Sequence, residues 1–105
     1  MEVGKPESVL VFDKWAEDKT PVLYFAHGHG SKPQPGTVLD VRPAEVRILA
    51  NAPQEVHGVR LTGCEFEYGD AAENGALNVS PRSKLGAYLA IYSQGKQMII
   101  VEVNQ

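Results

Sequence analysis

The sequence predicts a mainly β protein, a small antiparallel β-sandwich or barrel-like domain. Three observations lead there. Ten glycines and seven prolines cut the 105-residue chain into short pieces, which suits strands and turns better than long helices. Several of those pieces alternate apolar and polar residues with a period of two. The last of them, residues 97–103, is apolar at both parities, through Met98, Ile99, Ile100, Val101 and Val103. A strand of that kind is central and covered on both faces, so a second sheet, a helix or a partner subunit must supply the cover. The alternative architecture is α+β, with a helix at about residues 84–93 packed on an antiparallel sheet.

Taken in order, the first run holds Val9, Val11, Phe12 and Trp15, and a polar cluster at 17–21 separates it from Val22, Leu23, Tyr24, Phe25 and Ala26. The β-branched and aromatic content reads as a hairpin, with a helix over 8–19 as its rival. Residues 27–36 contain three glycines and two prolines and no aliphatic side chain, and read as one long loop. Residues 37–42 alternate poorly, because Val38, Leu39 and Val41 fall on both parities. Residues 45–50 carry Val46, Ile48 and Ala50 on one parity and form a half-buried strand. Across 56–68 the apolar phase flips, from Val59 and Leu61 to Cys64, Phe66 and Tyr68. One face can be kept only by a bulge or bend, placed at Gly63, unless the two runs are strands of different sheets. Leu85, Tyr88, Leu89 and Tyr92 fit helical spacing, but Leu85, Ala87, Leu89 and Ile91 alternate as a strand. The tight-turn sequence Ser93-Gln94-Gly95-Lys96 favours a β-hairpin over 84–103.

Composition excludes several classes. The length fits a single domain spanning 1–105. A net charge of −3 gives no electrostatic reason to seek nucleic acid or an anionic membrane. No apolar run reaches the roughly 18 residues of a spanning helix, and the N-terminal apolar stretch is too short for a signal peptide. A single cysteine, Cys64, excludes an internal disulfide and any Cys-pair metal site. The expectation is a soluble, cytoplasmic protein.

Four groups of residues could carry chemistry. His27 and His29 lie two apart, so a continuing strand would place both imidazoles on one face, half of a zinc, nickel or copper site. His57 would be a third ligand and Asp13 or Asp40 a fourth; the bland alternative is two exposed histidines on a glycine-flanked loop. Trp15, Tyr24, Tyr88 and Tyr92 have amphipathic rings suited to a ligand pocket, or else belong to the core and its margins. Cys64 beside His57 could be a nucleophile, but its phase among apolar residues marks a structural, buried thiol. Glu65 and Glu67 share one strand face, as an acid–base pair or as the solvated side of that strand. An esterase would need a Gly-x-Ser-x-Gly elbow, which Ser93 lacks because position 91 is Ile91. A dinucleotide fingerprint would need glycine at position 33, which is Pro33.

These readings rank three functions. The first is a non-enzymatic binding or assembly module without a cofactor, forming a homo-oligomer, most simply a homodimer, or binding another protein or small molecule. The second is a metal-dependent enzyme or metal-binding protein using His27, His29 and His57 with zinc or nickel. The third is a small-molecule pocket lined by Trp15, Tyr24, Tyr88 and Tyr92.

Overall fold

The computed structural model describes residues 2–27, 34–51, 54–71, 85–93 and 95–103. A two-residue strand β1 (Glu2–Val3) leads into helix α1 (Lys5–Asp18). Seven strands follow: β2 (Pro21–His27), β3 (Gln34–Val41), β4 (Glu45–Asn51), β5 (Gln54–Arg60), β6 (Glu65–Asp70), β7 (Leu85–Ser93) and β8 (Lys96–Val103). All strands join one antiparallel sheet in the order β1-β6-β7-β8-β2-β3-β4-β5. The protein is therefore mainly β, built, among the described residues, on a single coiled sheet with one helix. No helix among the described residues is long and apolar enough to cross a membrane.

The N-terminal run is a helix, not the first arm of a hairpin. Gly4 stands at its N-cap, Pro6 lies in its first turn, and Lys19 closes it in the left-handed conformation with φ 53°. Lys19 and Thr20 donate backbone N–H groups to Ala16 and Trp15. Buried Ser8, Phe12 and Trp15 fall on one stripe at helical spacing. The penalty for valine or an aromatic in a helix is at most about 0.7 kcal/mol each. Burying Phe12 and Trp15, 0% and 1% exposed, outweighs it several-fold.

The sheet curls around that stripe. Phe12 and Trp15 meet edge to face, with ring centroids 5.8 Å apart. Around them gather Val22 from β2, Val38 from β3, Val46 and Ile48 from β4, Val59 from β5, Phe66 from β6, Leu89 and Ile91 from β7, and Ile100 from β8. The inner surface of nearly every strand thus feeds one core. Tyr24 on β2 and His57 on β5 have ring centroids 5.8 Å apart. In a flat sheet, three strand spacings would separate them by roughly 14 Å. The barrel-like character comes from this curling.

The outer face has its own cluster, Phe25, Tyr88, Ala90, Ile99 and Val101, joined by Leu85 and Ala71. Strand β8 lies fourth in the order and buries Ile100 on one face and Ile99 and Val101 on the other. The two-sided run at 97–103 is a central strand for this reason.

Two register shifts account for the ambiguous sequence patterns. Between Val38 and Asp40 the β3–β4 pairing slips by one residue. Val38 and Val41 can therefore both reach the inner core, while Leu39 is 44% exposed. A second shift lies between Leu85 and Tyr88 on β7, placing both side chains in the outer cluster. The spacing of three that resembled a helix at 84–93 is a bulged strand.

At Gly63, with φ +74°, the chain bends as the phase flip requires. The bend joins two separate strands, however: β5 is the last strand in the order, and β6 is second. The loop at 27–36 is shorter than its composition suggests. His27 ends β2, and Gln34, Pro35 and Gly36 begin β3; residues 28–33 lie outside the described residues. Pro35 precedes the first β3–β4 pair, Gly36 with Ala50, so it withholds no hydrogen bond from that ladder. Gly36 is buried, and a Cβ there would stand 2.6 Å from the Leu49 carbonyl oxygen and 3.2 Å from the Tyr24 ring. Close packing is thus what requires glycine at position 36 of β3.

Replacing Phe12 with alanine is expected to cost about 3–5 kcal/mol of unfolding free energy. The same change at Leu10, 68% exposed on the far side of α1, should cost under about 0.5 kcal/mol. Urea denaturation of the two variants checks the pair, and equal costs would contradict the helix orientation.

Candidate functional site

Three features stand out: a polar cluster at one end of the inner face, an exposed edge along β5, and a groove beside that edge.

The polar cluster draws on β2, β3 and β5. Tyr24 Oη donates to Gln34 Oε1 at 3.1 Å. The Tyr24 ring leans on His57, whose Nε2 lies 3.4 Å from Glu55 Oε2. Glu55 and His57 share a face because they are two apart on one strand. Burial raises the Tyr24 phenol above its ordinary range, and the Glu55 carboxylate adds to the rise. The pairing of Gly36 with Ala50, and of Ala50 with Glu55, sets this cluster at the end of the sheet where β3 begins.

Among the described residues, strand β5 pairs with β4 on one side and with no strand on the other. It is seven residues long and contains neither proline nor lysine. The opposite edge, β1, is two residues long. On the outer face of β5, Val56 is 51% exposed. It lies opposite Leu49, which in turn lies opposite Thr37. Nearby, Arg47 makes a forked pair with Asp40, Nε donating at 2.9 and 3.0 Å, and Arg42 approaches the same carboxylate at 3.6 Å. The hydrogen bonds from Arg47 hold the Asp40 carboxyl below its usual range.

The groove lies between β5 and the β7–β8 hairpin. Gly58, Val59, Arg60, Cys64, Ile91, Ser93 and Met98 line about 460 Å³. Inside it the Cys64 thiol donates to the Arg60 carbonyl at 3.3 Å.

The four aromatics assigned to one pocket are dispersed. Trp15 is core, and its indole N–H donates to Glu102 Oε1 at 2.8 Å. Tyr24 is on the inner face, but Tyr88 belongs to the outer cluster. Tyr92 is 37% exposed, donating to Glu67 Oε2 at 3.0 Å and accepting from Gln97 Nε2 at 2.9 Å. The sheet itself stands between Tyr88 and Trp15, so alternation along the strands rules out a shared pocket. Glu65 and Glu67, with Glu2, Phe66 and Tyr92, line a hollow of about 220 Å³. Of the histidines, the backbone of His27 pairs with Gln97, His57 sits in the polar cluster, and His29 lies outside the described residues. Among the described residues, no three His, Cys, Asp or Glu side chains gather to hold a metal. The β5 edge was not singled out from the sequence, because strand order is set by long-range pairing and the Gln54–Arg60 run carries no local mark of it.

Comparison with protein-family models, with curated proteins and with solved structures finds no match.

The phenols of Tyr24, Tyr68 and Tyr92 are all raised above 10.0, burial being the first cause in each. The folded protein therefore holds these protons when the unfolded chain has begun to lose them. This contribution to stability is complete below pH 10 and declines as pH rises through the folded values. Tyrosine absorbance is expected to titrate later in the native protein than in denaturant, with thermal stability falling above about pH 10. Superimposable native and denatured titrations would contradict this.

Proposed function

We propose that the protein is a non-enzymatic binding or assembly module that works as a homodimer joined through β5. The observation that carries the reading is the seven-residue edge of β5, unpaired among the described residues and bordered by half-exposed Val56. An open strand presents unmet backbone donors and acceptors, and proteins usually blunt such an edge with proline, lysine, a bulge or a short strand. The β1 edge is short; the β5 edge has no proline, lysine or bulge, and its charged side chains, Glu55 and Arg60, are of opposite sign. Two-fold dimers are the commonest closed assembly, and a second copy offers a matching edge. A lone free thiol suits a reducing cytoplasm, where we place the protein.

A second reading, metal binding at zinc or nickel, draws on one observation. His57 and Glu55 stand at the end of the sheet where β3 begins, and residues 28–33, which include His29, join β2 to β3. Loss of one metal equivalent in His29→Ala and in His57→Ala supports it; unchanged uptake in both removes it.

For the dimer, sedimentation velocity at micromolar concentrations should show a reversible monomer–dimer equilibrium. Val56→Lys is expected to weaken association roughly tenfold to a hundredfold, about 1.4–2.8 kcal/mol, without lowering monomer stability appreciably. A strict monomer at high micromolar concentration overturns the proposal.

A further inference from the structure

Resting on the dimer reading above, we infer that two β5 strands pair antiparallel about a two-fold axis at Val56. The axis sets Val56 against its own copy and crosses Glu55 of each protomer with His57 of the other. A two-fold axis perpendicular to a sheet keeps its faces continuous. Residues facing each other across it must then share a parity, so the axis passes through a residue. Four centres are open within the middle of β5.

An axis at Glu55 sets two carboxylates face to face, which is repulsive. An axis at His57 stacks two imidazoles and leaves Glu55 opposite Val59. An axis at Gly58 sets half-exposed Val56 against the arginine Arg60. The axis at Val56 alone matches chemistry on both faces. On the outer face the apolar row Thr37–Leu49–Val56 continues into the same row of the second copy. The exposed Val56 is thereby covered. On the inner face Glu55 lies opposite the copy's His57 twice over. Both side chains have the accessible surface to reach across, at 59% and 42% exposed. Gln54 then faces Gly58, beside which the Glu45 carboxylate lies as an acceptor for the Gln54 amide N–H groups. The imidazole can donate an N–H to the facing carboxylate whether or not it is protonated.

The test is a single-cysteine scan in a Cys64→Ala background, with Gln54→Cys, Val56→Cys and Arg60→Cys each treated with a short bismaleimide. All three substitutions are at exposed positions of β5. The register puts position 56 next to its copy, position 54 four residues from its copy (about 13 Å) and position 60 eight residues away (about 27 Å). Efficient cross-linking by Val56→Cys alone is the expected result. A charge exchange gives an independent reading: Glu55→Lys should weaken the dimer at least several-fold, and adding His57→Glu should restore most of the loss. A dimer that cross-links at 54 or 60, or at none of the three, overturns the register while the dimer reading stands. A protein that sediments as a monomer throughout overturns both.

Discussion

Everything in this protein follows from one mismatch of dimensions. Eight strands laid flat would span roughly 35 Å, whereas one helix is about 10 Å across. The one helix among the described residues, fourteen residues long, cannot cover such a sheet, and an uncovered apolar face is not tolerated in water. The sheet coils instead, and it coils around Phe12 and Trp15. The ring of valines, isoleucines and leucines converging on these two side chains comes from seven strands. The Trp15 indole N–H, which could not be left unmet in that core, reaches Glu102 on central strand β8.

Coiling needs places where the ladder gives way. The slips at Leu39 on β3 and between Leu85 and Tyr88 on β7 are those places. Each adds one residue to a strand, bends it, and keeps apolar side chains on the face that needs them. Gly63 serves a different purpose. It carries the chain across the gap between the last strand of the order and the second. The curled sheet therefore brings β5 near the β7–β8 hairpin, where a groove remains between them, yet the edge of β5 has no neighbouring strand among the described residues. The same curvature presses His57 onto Tyr24.

The two ends of the sheet are unequal, and that inequality carries the functional reading. At one end a two-residue strand runs directly into α1. At the other, β5 offers seven residues of open edge and a valine half in water. The glutamate and the histidine that flank this valine lie within 3.4 Å of each other on one face of the strand, and it is this pair that the proposed contact between copies would exchange.

The sequence by itself determined the β-rich class, the central place of residues 97–103, the hairpin turn at 93–96 and the half-buried strand at 45–50. These are legible because period-two patterning and turn chemistry are local. It also marked the bend at Gly63, since a phase flip needs a break. Local pattern offered a helix over 8–19 only as the rival of a hairpin and could not decide for α1. Valines and aromatics disfavour a helix only weakly, and the burial of Phe12 and Trp15 that overrides them exists only once the sheet has closed around it. Nor could it locate the bulges, because an inserted residue makes a strand read as a helix at 85–92 and as noise at 38–41. The candidate site divides the same way. His57 was visible as a residue, but its partners Tyr24 and Glu55 were not visible as a cluster, and Trp15 and Tyr88 were grouped across what proved to be opposite faces. Which strand lies at an edge is a property of strand order, set by long-range pairing and by the space one helix can cover, and no local run of residues encodes it.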